Sequence, residues 1–172
     1  MGPKYEFTGE TMNYDGHLLH RIKRLSDGKI GGWIAFEDNL SQEGNCWVDG
    51  DAKVYVNARV YGNAQVYGDA EVKGSAKVYG NAQVYDIAYV YAGAEVYGDA
   101  HVYADARVSG QVYDNARVYG SAEVYNDAEV HDNAKVYDHA VIYGEVCSNA
   151  KVYGSAIVSC DEKLTSERYY FR

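Results

Sequence analysis

The chain has 172 residues, enough for one domain, with 16 basic and 25 acidic side chains and a net charge of −9. Fifteen of the acidic and eight of the basic residues fall between 46 and 159, so the excess belongs to that stretch, and it argues against direct contact with nucleic acid or an anionic membrane surface. Three cysteines with no CxxC pair exclude a disulfide framework and a zinc knuckle, and with no signal peptide and no long apolar run the expected location is the cytoplasm.

Residues 1–45 are expected to form an N-terminal β cap. Lys4-Tyr5-Glu6-Phe7-Thr8 alternates as a strand does, Gly9-Glu10 carries a turn signal, and Leu18–Leu25 reads as a second strand paired with residues 4–8. Ser26-Asp27-Gly28 is a further turn. Gly31-Gly32-Trp33-Ile34 then leads toward an imperfect first coil beginning near Leu40. Such a segment covers the apolar end of the structure that follows and blocks edge pairing there.

From 46 to 159 one six-residue phrase recurs, as in Ala58-Arg59-Val60-Tyr61-Gly62-Asn63. An aliphatic residue stands in twenty registers, from Val48 to Val158, and it is Val in all but Ile142. Two places earlier stands Ala, except at Cys46, Gly110 and Gly144. Alternation puts Ala and Val on one face and the residue between them, with Tyr, on the other. Gly followed by Asn, Asp or Ser makes the corner. A strand this short cannot bury its Ala and Val alone, but stacked coils with strands about 4.8 Å apart can. A helix does not fit, because a period of six misses 3.6 residues per turn. The fold class expected is therefore all-β.

The aliphatic residue followed four places on by a small one, as in Val60 and Ala64, resembles the hexapeptide-repeat proteins that form a left-handed parallel β-helix. That resemblance implies three hexads per triangular coil and the left hand. Twenty hexads then give nearly seven coils, a prism roughly 30 Å long at the strand spacing. Tyr5-Glu6-Phe7-Thr8-Gly9, Gly31-Gly32-Trp33-Ile34 and Asn39–Val48 are similar to the start of phage- and prophage-encoded hexapeptide-repeat proteins of the polymer-forming or transferase-like kind. They imply a phage context and a bacterial host cell.

Stacking three hexads per coil sorts the outward residues into columns. The first face presents Tyr67, Tyr85, Tyr103, Tyr119, Tyr137 and Tyr153, flanked by Gln65, Gln83, His101, Arg117, Lys135 and Lys151. The third presents Tyr61, Tyr79, Tyr97 and Tyr113, then His131 and Cys147, beside Glu95, Glu129 and Glu145. In this register Cys46 is a buried small residue and Cys147 an outward one. The first-face tyrosines, with Arg117 and Lys135 set against Glu95 and Glu129, are the expected interface of a homo-oligomer, dimer or trimer, or of a contact with a host protein. The corners after Val108 and Ile142 each lose two residues and keep only Gly110 and Gly144, on one edge two coils apart.

Chemistry has weaker signals. The superfamily resemblance implies an acyltransferase alternative with a histidine base at a subunit boundary, for which His101, His131 and His139 are the candidates. His101 stacks with Arg117 and Lys135, with no carboxylate to orient it, and the coils carry no inserted loop to build a pocket. His131 and His139 do not converge within one chain, so neither a zinc site nor any other cofactor is expected. The expectation is a non-catalytic binding or assembly protein whose acidic surface would suit a decoy for a host defence protein. Residues 160–172 leave the period, and Leu164 with Tyr169-Tyr170-Phe171 is expected to fold over the last coil as a cap, or to serve as a docking tail.

Overall fold

The computed structural model describes residues 2–170, apart from the side chains of 168–170. Three parallel sheets form the walls of a β-solenoid of about seven turns. The first face carries eight strands, from Trp47–Val48 to Arg168–Tyr170, and the third carries seven. The second is a ten-stranded sheet, because the N-terminal strands extend it. Registers are in phase throughout: Val66 lies beside Val84, Val84 beside Val102 and Val102 beside Val118. All twenty aliphatic registers point inward at 0–1 % exposure, and the Ala of each hexad is equally buried. The small Ala beside the β-branched Val is what lets three walls close on a filled centre.

The corners follow from backbone chemistry. Their first residue has positive φ, as Gly62 does at 70° and Asp86 at 58°. Gly reaches that conformation without a Cβ penalty. Where Asp stands instead, its carboxylate accepts a hydrogen bond from the next coil: Asp86 from the Ala104 N–H at 3.2 Å, Asp132 from Ser148 at 2.7 Å, Asp138 from Gly154 at 3.1 Å. A second corner column bonds side chain to side chain, Asn63 to Asn81 at 3.0 Å and Asn81 to Asp99 at 2.9 Å. The two short corners are packed so closely that they require glycine. A Cβ on Gly110 would meet the Ala128 carbonyl oxygen at 2.6 Å, and one on Gly144 the Ser159 carbonyl oxygen at 2.2 Å.

The N-terminal segment differs from expectation in one turn. β1 (Tyr5–Tyr14) and β2 (His17–Arg24) form the antiparallel hairpin, with Tyr5 opposite Arg24 and Phe7 opposite Ile22. Gly9-Glu10 is not the turn; it lies inside β1, where the register shifts between Phe7 and Thr11. The reversal comes at Asp15-Gly16, at φ 47° and 76°, the positive pair that a tight hairpin turn demands. β3 (Ile30–Ile34) pairs antiparallel with β2 and parallel with Lys53–Val54, so it joins hairpin to solenoid. The base of the hairpin closes the core: Tyr5 and Ile22 are buried, and the Tyr5 hydroxyl donates to the Leu40 carbonyl at 2.9 Å. Its tip leans over the second face, where Lys73 pairs with Asp15 at 3.0 Å and Tyr14 meets Tyr55 edge-on.

The C-terminal segment also differs. It adds a further coil where a folded-over cap was expected. Lys163–Leu164 joins the third sheet beside Glu145–Val146, and Arg168–Tyr170 joins the first beside Val152–Gly154. Phe171, part of the expected apolar cap, lies outside the described residues.

Candidate functional site

The first face is an eight-stranded parallel sheet with a regular row of outward tyrosines. Tyr67, Tyr85, Tyr103, Tyr119, Tyr137 and Tyr153 form one continuous stack, with centroids 4.9–5.0 Å apart and planes within 5° of parallel. Parallel in-register strands impose that spacing, and each ring covers the face of the next. The exposed part is therefore a ridge of ring edges and hydroxyls, and each of these tyrosines is only partly exposed. Burial, joined by the neighbouring phenols, pushes Tyr85 up to about 12.

Beside that ridge, Arg117 lies directly against Lys135, and Lys135 against Lys151. Among the described residues none of these three has an ion-pair partner within 4.0 Å. Like charges in adjacent registers repel, so the row holds an unrelieved positive potential at one end of the face. At the other end stand Gln65 and Gln83. Gln83 accepts from the Tyr67 hydroxyl at 3.0 Å. His101, between them, meets the Tyr85 ring edge-on at 6.1 Å. Burial, and then the Arg117 charge, lower its pKa.

The acidic half of the third face is less available than its composition suggests. Glu95 pairs with Lys77 at 2.8 Å and accepts from the Tyr79 hydroxyl at 3.1 Å. Glu129 accepts from Tyr113 at 2.8 Å. His131 repeats that relation in the tyrosine column: its ring stacks on Tyr113 at 4.7 Å, and Nε2 lies 2.9 Å from Glu145 Oε1. Glu145 also holds Lys163 at 2.6 Å, and Lys163 and then His131 draw its carboxyl below the ordinary range.

One sequence-based placement changes here, and one contact is new. Cys147, expected to point outward, is 2 % exposed, because an outward slot near the end of the stack is covered by its neighbours. His131 does have orienting carboxylates, Glu145 on Nε2 and Asp132 at 3.5 Å from Nδ1. Stacking by columns weighs His131 only against His139 and leaves this diagonal pairing out. The signal was in the spacing: Glu145 stands diagonally after His131 as Glu129 does after Tyr113.

Among the described residues no helix is long and apolar enough to cross a membrane. None of the curated proteins compared with the chain matches it. The family model described as the YdcK beta solenoid repeat matches residues 111–132, slightly more than one turn of the stack. That match, the three parallel sheets and the in-phase hexads together support a β-helix repeat architecture for the chain.

Proposed function

We propose that this protein is a non-catalytic assembly and protein-binding scaffold, and that its first face is the surface through which it joins a second copy. The observation that carries the reading is the row Arg117–Lys135–Lys151, stacked in adjacent registers without counterions among the described residues, beside six parallel-stacked tyrosines. An acidic surface laid against it would relieve the repulsion, and the chain carries a net charge of −9 to supply one. Phenol edges and hydroxyls at a fixed repeat add flat contact area at small entropic cost. The rigidity of the stacked coils means that little ordering is needed on binding.

The test is the solution mass of the wild type and of two variants. Tyr85→Glu with Tyr103→Glu places charge in mid-ridge. Arg117→Glu with Lys135→Glu inverts the basic row. Both leave the inward Val and Ala untouched, and a thermal melt checks folding. The expected outcome is an oligomeric wild type and two folded variants of lower mass. Oligomers of unchanged mass in both variants would move the interface to another face.

A second reading is favoured by the net acidity. In it the chain is a phage-encoded decoy acting on a host protein in the bacterial cytoplasm. Its support would be a host enzyme held in stoichiometric complex and inhibited by it. The acyltransferase alternative would rest on His131, with carboxylates at both ring nitrogens. Titration with acyl-coenzyme A checks it, and no binding is expected.

A further inference from the structure

We propose that His131, Glu145 and Cys147 form a binding site for a divalent transition metal, with Zn²⁺ the ion of best fit. A nitrogen of His131, a carboxylate oxygen of Glu145 and the Cys147 sulfur all lie within 4.8 Å of one another. Those separations need only small side-chain rotations to converge on one ion at the roughly 2.0–2.3 Å bonds that zinc makes to nitrogen, oxygen and sulfur.

The donor chemistry selects the metal class. A thiolate and an imidazole are too soft for Mg²⁺ or Ca²⁺, which take all-oxygen shells. On binding, Cys147 loses its thiol proton to solvent and the sulfur lone pair goes to the metal. One thiolate and one carboxylate then balance the two positive charges of the ion, and a water completes a four-coordinate shell.

Two further features of the structure fit the assignment. Asp132 Oδ1 stands 3.5 Å from His131 Nδ1, on the side of the ring away from Glu145. A carboxylate that accepts a hydrogen bond from Nδ1–H holds the tautomer in which Nε2 carries the free lone pair, the usual arrangement behind a metal-bound histidine. The Tyr113 ring, stacked on His131 at 1° between planes, fixes the orientation of the imidazole. The three residues also sit on rigid elements: His131 and Cys147 each directly follow an inward residue of the solenoid, Val130 and Val146, and Glu145 directly precedes Val146.

Lys163 is the competing cation. Its ammonium holds Glu145 at 2.6 Å, but its side chain is 57 % exposed and free to turn into solvent when a metal arrives. The site does not depend on the assembly reading.

The experiment titrates Zn²⁺ and Co²⁺ into the full chain carrying Cys160→Ser, which removes the exposed thiol as a rival ligand. Co²⁺ bound to a thiolate gives a near-ultraviolet charge-transfer band, and that band should saturate at one equivalent. Cys147→Ser should abolish it, and His131→Gln should weaken Zn²⁺ binding at least tenfold. Lys163→Met should tighten it severalfold, a readout that a variant losing its fold cannot produce. A Cys160→Ser chain without the band, a band that survives the added Cys147→Ser, or equal Zn²⁺ affinity in the Lys163→Met chain would overturn the site.

Discussion

The phenol rings of Tyr85 and Tyr103 lie parallel to within 1°, 4.9 Å apart, as the second and third rings of a six-ring stack. Partial burial first, and then the neighbouring phenols, disfavour ionisation of the Tyr85 hydroxyl, so the neutral phenol is favoured in the folded state. Tyr85 moves from 10.0 to about 12. The stability this represents is present below pH 10 and is lost as the pH climbs toward 12. The expected outcome is cooperative alkaline unfolding in that window, with phenolate absorbance rising at the same midpoint. Tyr85→Phe with Tyr103→Phe should move the unfolding to higher pH. Simple titration of the stack near pH 10 without unfolding would contradict the coupling.

His101 gives the acid counterpart. Burial first, then Arg117, holds its pKa below 6.5, so the folded chain resists its protonation. Its stabilising effect is complete above pH 6.5 and falls away as the pH drops below that value. Urea midpoints at about pH 8 and about pH 5 measure the difference. His101→Gln should reduce the loss, and an unchanged loss would assign acid sensitivity to other groups.

The inward register is tested by Val78→Asp. Val78 is 0 % exposed between Val60 and Val96, and an unpaired carboxylate there should cost more than about 3 kcal/mol. A variant melting with the wild type would contradict the placement.

The short corners are tested by a pair of glycines. Gly144→Ala drives a methyl against the Ser159 carbonyl oxygen at 2.2 Å, whereas Gly93 has nothing within 4 Å of the same added carbon. The first change should cost on the order of 2 kcal/mol and the second almost nothing. Thermal melts of the two variants give the comparison, and equal melting temperatures would show that the short corner yields freely.

Much of this was legible because a strict period leaves little choice. Val84 had to lie against Val66 and Val102 once three hexads made a coil, and the tyrosine columns followed. The misreadings fall where the period is weakest. Gly9 has φ of 89° yet sits within β1, because pairing with β2 carries the strand past it to Asp15-Gly16. The last coil keeps the period with a different aliphatic residue, for Leu164 stands six residues after Val158, but the loss of the Ala-x-Val phrase hides it. Cys147 was placed outward by its slot, but burial of an outward slot depends on residues in the neighbouring column and coil. The grouping of His131, Glu145 and Cys147 is a diagonal relation between adjacent coils, which a column-by-column reading does not display. The charges of the third face were counted correctly from sequence, but pairing such as Lys77 with Glu95 became visible only in three dimensions.

The central claim is that the first face joins copies of this chain. Sedimentation equilibrium of the wild type, at low and at high salt, tests it most directly. The account predicts a mass of more than one 19.1 kDa chain at low salt, falling as salt screens the Arg117–Lys135–Lys151 row. A single-chain mass at every concentration and salt would contradict it.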